Sequence, residues 1–148
     1  EGITTMFSPA EPLTLHPALA EAIDLIAEVA ADHPTVSPVE PYADMTDRTL
    51  VTAHFEDGSI IGAGIVDADG HISSLVSTVP GVGTDILDRL IELGGDHLDC
   101  YDVPWLQRLY TSRGFKVTER YEWDQELAPS NWPLRLGTPD YVFMRRAV

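Results

Sequence analysis

Between the strand-forming residues that end at Ser77 and the helical pattern that begins near Ile86, the chain reads Thr78-Val79-Pro80-Gly81-Val82-Gly83-Thr84-Asp85. Backbone N–H groups in the first turn of a helix have no partner inside the helix, and glycine lets a phosphate oxygen approach them with no side chain in the way. Gly81, Val82, Gly83 and Thr84 occupy the positions of those donors, which makes the loop a candidate anion cradle. The same residues also read as a plain glycine turn joining strand to helix. Charge does not assist the anion: no Lys or Arg occurs from Asp67 to Asp88, and Asp85 and Asp88 put carboxylates where they stabilise an empty helix N-terminus.

Other site chemistries lack their residues. The chain holds no H-E-x-x-H, no G-x-S-x-G and no phosphate loop with G-K-S/T. His16, His33, His54, His71 and His97 are scattered, each reading as a structural or exposed side chain rather than a metal ligand. Cys100 is the only cysteine, so no internal disulfide and no cysteine-rich zinc site can form, which fits a reducing, cytoplasmic setting. No apolar run reaches the roughly 18 residues of a membrane span, and the N-terminus lacks the basic-then-apolar pattern of a signal peptide. The charge is one-sided: 24 acidic residues against 9 basic ones give −15 at pH 7, and Lys116 is the only lysine. Such a surface disfavours nucleic acid and anionic membranes, whose phosphates are bound through Lys and Arg. It serves solubility, or it draws in a cationic substrate or a basic protein partner.

The pattern around the loop predicts the elements that hold it. A chain of 148 residues suits a single domain. Ile3 to Phe7 reads as a short strand, and from Pro17 the apolar residues Leu19, Ile23, Ile26 and Val29 or Ala30 recur at helical spacing until Pro34. Thr35 to Asp47, with Pro38 and Pro41, reads as a loop. Thr49 to Phe55, Ser59 to Val66 and His71 to Ser77 form an antiparallel meander turned at Asp57-Gly58 and Asp69-Gly70. Gly62 and Gly64 in its middle strand leave room for close backbone approach or mark a bulge. Thr84 to Leu93 is a helix with one apolar face of Ile86, Leu87, Leu90 and Leu93, capped by Gly94. His97 to Tyr101 is a short buried strand, and Asp102 is placed to cap a helix that carries Trp105, Leu106, Leu109 and Tyr110 and ends by Gly114. Phe115 to Trp123 alternates, with Phe115, Val117, Tyr121 and Trp123 on one face, Lys116, Thr118, Arg120 and Glu122 on the other, and Glu119 interrupting the apolar side. An irregular connection around Trp132 leads to a last strand at Tyr141 to Arg145.

This element order resembles the GNAT acyltransferase fold. Thr78 to Gly83 is similar to the family's Q/R-x-x-G-x-G/A loop, with Thr78 standing where the family has Gln or Arg. Leu109-Tyr110-Thr111-Ser112-Arg113-Gly114-Phe115 resembles its more specific L-Y-x-x-x-G-F signature. The similarity covers about Thr49 to Arg146, and Pro129 to Met144 resembles GNAT-like proteins encoded in bacterial and bacteriophage genomes. The resemblance implies an α/β fold whose GNAT-like mixed, mostly antiparallel central sheet is flanked by helices and splays between its fourth and fifth strands to admit an acyl-CoA. It implies transfer of an acetyl or similar group from acetyl-CoA, or another acyl-CoA, to a small-molecule or protein amine by direct attack on the thioester. Leu75, Val76 and Ser77 on the strand, with Gly81, Val82, Gly83 and Thr84 at the loop, would then hold the cofactor. Tyr110 would protonate the departing thiolate, although it also reads as a core tyrosine packed on the sheet. The amine would bind near Tyr42, Tyr110 and Trp132. His54, Glu56, Ser73 and Ser74 are the candidate bases, with ordered water as another proton path. The family's asparagine in this region is absent, with Asp102 and Val103 near its place. The alternative is a GNAT-like module without turnover that engages a basic partner through its acidic surface.

Overall fold

In the computed structural model the described residues are 2–5, 24–29, 48–54, 59–128 and 132–146. The chain forms two compact units, Glu1–Gly95 and Asp96–Val148. The expected turn at Asp57-Gly58, the loop that holds Tyr42, and Glu56, His16 and His33 lie outside the described residues.

The first unit is built on a four-stranded antiparallel sheet of β1 (Gly2–Thr5), β2 (Arg48–His54), β3 (Ile60–Asp67) and β4 (Ile72–Ser77), in that order. The three strands of the predicted meander are thus in place, each within a residue of its expected bounds. Consecutive residues of β2 and β3 are buried, Leu50 to Ala53 and Ile61 to Val66, so both faces of the sheet centre are covered. Helix α1, over residues 24–29, buries Ile26. Helix α2 (Val82–Glu92) packs on the sheet through Val82, Ile86, Leu87 and Leu90, whereas Leu93 is exposed rather than part of the buried face.

Two glycines set how closely α2 lies on β3. A Cβ at Gly62 would come within 2.6 Å of Ile86 Cδ1 and 3.0 Å of the Val76 carbonyl, and one at Gly64 within 2.8 Å of Leu90 Cδ1. Beyond α2, Gly94 adopts φ 102 and donates its N–H to Ile91 O, while Gly95 donates to Leu90 O. This pair of bonds closes the helix as the sequence predicts, with glycine taking the left-handed position.

The second unit holds β5 (His97–Tyr101), α3 (Pro104–Thr111), β6 (Phe115–Tyr121), a 3-10 turn at Leu134–Leu136 and β7 (Tyr141–Arg146). Its three-stranded antiparallel sheet runs β5-β7-β6. Leu98, Cys100, Val142, Met144 and Phe115 are buried on the face that carries α3. The expectation of a uniformly buried β5 is corrected, because His97, Asp99 and Tyr101 point to the other face and are half-buried.

Strand β6 also departs from its clean alternation. Val117 pairs with Met144 and Glu119 with Phe143, so Thr118 is an extra residue, and its hydroxyl donates to the Phe143 carbonyl at 3.2 Å. The bulge moves Glu119 and Tyr121 to the face opposite Phe115 and Val117. Of the predicted apolar face only Phe115 is buried. Asp102 is not the cap of α3: Val103 holds that position with no side-chain cap, and Asp102 is committed elsewhere.

Candidate functional site

The loop is positioned by an irregular strand. Along β4, Ser73 pairs with Ile65 and Val76 with Ala63, so Ser74 and Leu75 together face Gly64. Ser74 has φ 55, the only positive φ of a non-glycine among the described residues. A left-handed L-residue costs about 1 kcal/mol or more, a strain kept only where the surroundings impose it. Here β4 must widen over a glycine that α2 has claimed. Leu75 is left half-buried, Val76 buried and Ser77 exposed, on the edge strand of the sheet.

Thr78 then ties the loop to the sheet, donating both its N–H (2.8 Å) and its hydroxyl (3.1 Å) to the Ile61 carbonyl. Gly81 caps α2 with φ 88 and ψ −23, a conformation that requires glycine even though a Cβ would meet nothing within 4 Å. Of the first four N–H groups of α2, Val82 donates to Val79 O at 3.2 Å and Asp85 to Gly81 O at 3.4 Å. Among the described residues nothing accepts from the N–H of Gly83 or Thr84. A Cβ at Gly83 would lie 3.3 Å from Ser77 Oγ, so the strand end and the helix start meet at this point. The structure therefore brings Ser77, Gly81, Gly83 and Thr84 together around two donors that an anion could use. They fit a phosphate by hydrogen bonding and not by charge, since Asp85 is exposed in the same turn.

Tyr110 lies on α3 in the second unit, buried against Phe115 with ring centroids 6.0 Å apart. Burial, then the neighbouring Cys100 and Asp99, push its pKa well above the ordinary phenol value, so the hydroxyl keeps its proton. That hydroxyl has no hydrogen-bond partner among the described residues. Burial also raises the Cys100 thiol to about 12, with Asp99 and Asp102 adding to the effect. Both groups are buried and keep their protons at neutral pH.

Trp132 is not beside Tyr110. Its ring lies 4.6 Å from Tyr101 and 5.0 Å from Trp123, tilted against both, on the face of the sheet away from α3. Tyr141 meets Tyr101 edge-on at 5.1 Å and donates its hydroxyl to Asp99. Cys100 and Tyr101, adjacent in β5, point to opposite faces and so separate the two residues that the sequence places around one acceptor. Of the candidate bases, His54 Nε2 is engaged with Thr52 Oγ1 at 2.7 Å, and Ser74 is the buried, strained residue of the β4 bulge.

One constellation had no sequence signal. Arg120 Nη1 donates to Asp102 Oδ2 at 2.5 Å and Asp140 Oδ2 at 3.0 Å, and the Asp102 N–H donates to Asp140 O at 2.8 Å. It clamps the ends of β5, β6 and β7.

No protein-family model matches the sequence, and no curated protein does. Solved structures do. An acyl-CoA N-acyltransferase from Pseudomonas aeruginosa is similar with a TM-score of 0.65 and 18% identity, over 99% of this chain and 100% of that one. A GCN5-related N-acetyltransferase from Kribbella flavida gives 0.60 and 14% over 99% and 97%. A GNAT superfamily phosphinothricin acetyltransferase from Sinorhizobium meliloti, solved in complex with AcCoA, gives 0.62 and 15% over 98% and 86%. The chain has the GNAT fold. In GNAT terms the bulged β4, the loop and α2 correspond to the expected order of strand, glycine loop and helix, and α3 with Tyr110 follows β5 as the L-Y-x-x-x-G-F signature implies. Identities this low carry the fold and leave activity to be argued from the site.

Proposed function

We propose that this protein is an N-acyltransferase that moves an acetyl or similar group from acyl-CoA to an amine. The observation that carries the reading is the pair of N–H groups of Gly83 and Thr84, without an acceptor among the described residues and set directly after a bulged edge strand in a chain of GNAT fold. Acyl-CoA supplies the thioester whose acyl carbon an amine can attack with loss of the thiolate. Gly83 and Thr84 would donate to its pyrophosphate oxygens. The backbone of Leu75, Val76 and Ser77 would hold the amide-bearing arm along the β4 edge, with Gly81 and Val82 shaping the turn. Tyr110, protonated throughout neutral pH, would give its proton to the leaving sulfur. The charge of −15 favours a cationic amine as acceptor.

A second reading is favoured by one observation. Glu1–Gly95 holds sixteen acidic residues against two arginines, whereas Asp96–Val148 holds eight against seven basic ones. A unit so acidic would suit a GNAT-like module that binds a basic partner without turnover. The test is the release of free thiol from acetyl-CoA with a panel of polyamines, aminoglycosides and basic peptides. Amine-dependent release that Gly83→Glu abolishes supports the acyltransferase. Tight capture of a basic peptide with no thiol released supports the binding module.

A further inference from the structure

We propose that the face of β5-β7-β6 away from α3 binds an elongated organic dication, two ammonium groups on an apolar stem, laid across Phe143 from Asp99 to Glu119. The inference concerns Asp96–Val148 alone and holds whether or not acyl transfer takes place. Strand register sorts this face into three rows. His97, Arg145 and Lys116 make a basic row, with His97 and Lys116 each opposite Arg145. Asp99 and Glu119 stand on either side of Phe143 in the next, and Tyr101 and Tyr121 on either side of Tyr141 in the third. Trp123 and Trp132 close over Tyr101, with ring centroids at 5.7 and 4.6 Å. The rings left open are Phe143 and Tyr121, 40% and 53% exposed and edge-on to each other at 5.8 Å.

Open aromatic rings beside carboxylates bind cations: the ring face attracts positive charge within about 6 Å of its centroid, and the carboxylate pairs with it. The tyrosine row holds both carboxylates in place. Tyr121 donates its hydroxyl to Glu119 Oε2 at 2.6 Å, and Tyr141 donates to Asp99. A carboxylate has about four acceptor sites, so one tyrosine bond leaves capacity for an ammonium. Neighbouring strands lie about 4.8 Å apart, which sets Asp99 and Glu119 roughly 10 Å from each other across β7. The basic row repels a second cation along the strands, so the long axis of the ligand runs across them. Between the carboxylates the surface is the Phe143 ring, which suits a methylene stem and offers no partner to hydroxyl groups. The pattern selects a linear diamine over a compact, hydroxyl-rich amine or a lone cationic side chain.

Calorimetric titration of the full chain with the butyl, octyl and dodecyl α,ω-diamines and with octylamine, without any acyl donor, tests this. The octyl diamine, whose nitrogens match the roughly 10 Å between the carboxylates, should bind about tenfold more tightly than the butyl diamine or octylamine, and no more weakly than the dodecyl diamine. Glu119→Gln and Phe143→Ala should each weaken it about fivefold or more, whereas Asp85→Asn, in the other unit, should leave it unchanged. Affinity that is independent of chain length, or that survives both substitutions, would overturn the inference and reduce the binding to general attraction by a charge of −15. A basic peptide that displaces the octyl diamine and binds about tenfold more tightly would overturn it in favour of a protein partner. The acyltransferase reading is judged separately by thiol release, which none of these titrations measures.

Discussion

At the residue scale the proposed chemistry turns on Tyr110 and its neighbour Cys100. Replacing Tyr110 with Phe removes the proposed acid and leaves its packing against Phe115, so kcat should fall about 100-fold with an unchanged Kd for acetyl-CoA, read by steady-state kinetics and titration. A fall in affinity with kcat preserved would assign Tyr110 to the core alone. Cys100 makes a stability prediction. Its pKa is raised from 9.0 to about 12, so the folded state favours the neutral thiol. The stabilisation is complete below about pH 9, where the unfolded thiol is also protonated, and is lost as pH rises toward 12, on the order of 4 kcal/mol across that window. Urea midpoints of the wild type should begin to fall near pH 9, whereas those of Cys100→Ala should hold until the tyrosines titrate. At this scale the loop glycines and Tyr110 were legible as residue types at a spacing. The Asp102–Arg120–Asp140 clamp was not, because ion pairs 18 and 20 residues apart leave no local pattern.

The elements were the most legible level. Gly62 and Gly64 signalled either close approach or a bulge, and the structure uses both: α2 lies against β3 at these glycines, and β4 bulges opposite Gly64. Gly62→Ala should therefore destabilise by about 1–3 kcal/mol in urea unfolding, because its Cβ would press on Ile86, Val82 and the Val76 carbonyl at once. An unchanged midpoint would show that α2 can lift off the sheet freely. The failures have a common cause. Period-two alternation predicts which face a residue takes only while the register is unbroken, and the extra residue Thr118 breaks it, sending Tyr121 to the face of Phe143, where their rings meet at 5.8 Å. The same limit hid the separation of Tyr110 from Trp132, since proximity in sequence says nothing about opposite faces of β5.

At the scale of the whole molecule, fold and charge bear on different parts of the proposed function. Similarity over nearly the full length of known acyltransferases accounts for the strand, loop and helix that present Gly83 and Thr84. The acidity is concentrated in Glu1–Gly95, the unit that contains that loop, so the anion it would bind is met by backbone donors and opposed by side chains. No helix among the described residues is long and apolar enough to cross a membrane. The most direct measurement is the thermal midpoint with acetyl-CoA at moderate salt. A ligand that binds only the folded state at 100 times its Kd stabilises by about 2.7 kcal/mol, so the midpoint should rise with saturation, and Gly83→Glu should abolish the rise. A midpoint that does not move at any acetyl-CoA concentration would contradict the account, because the two N–H donors at the start of α2 would then be an ordinary helix end.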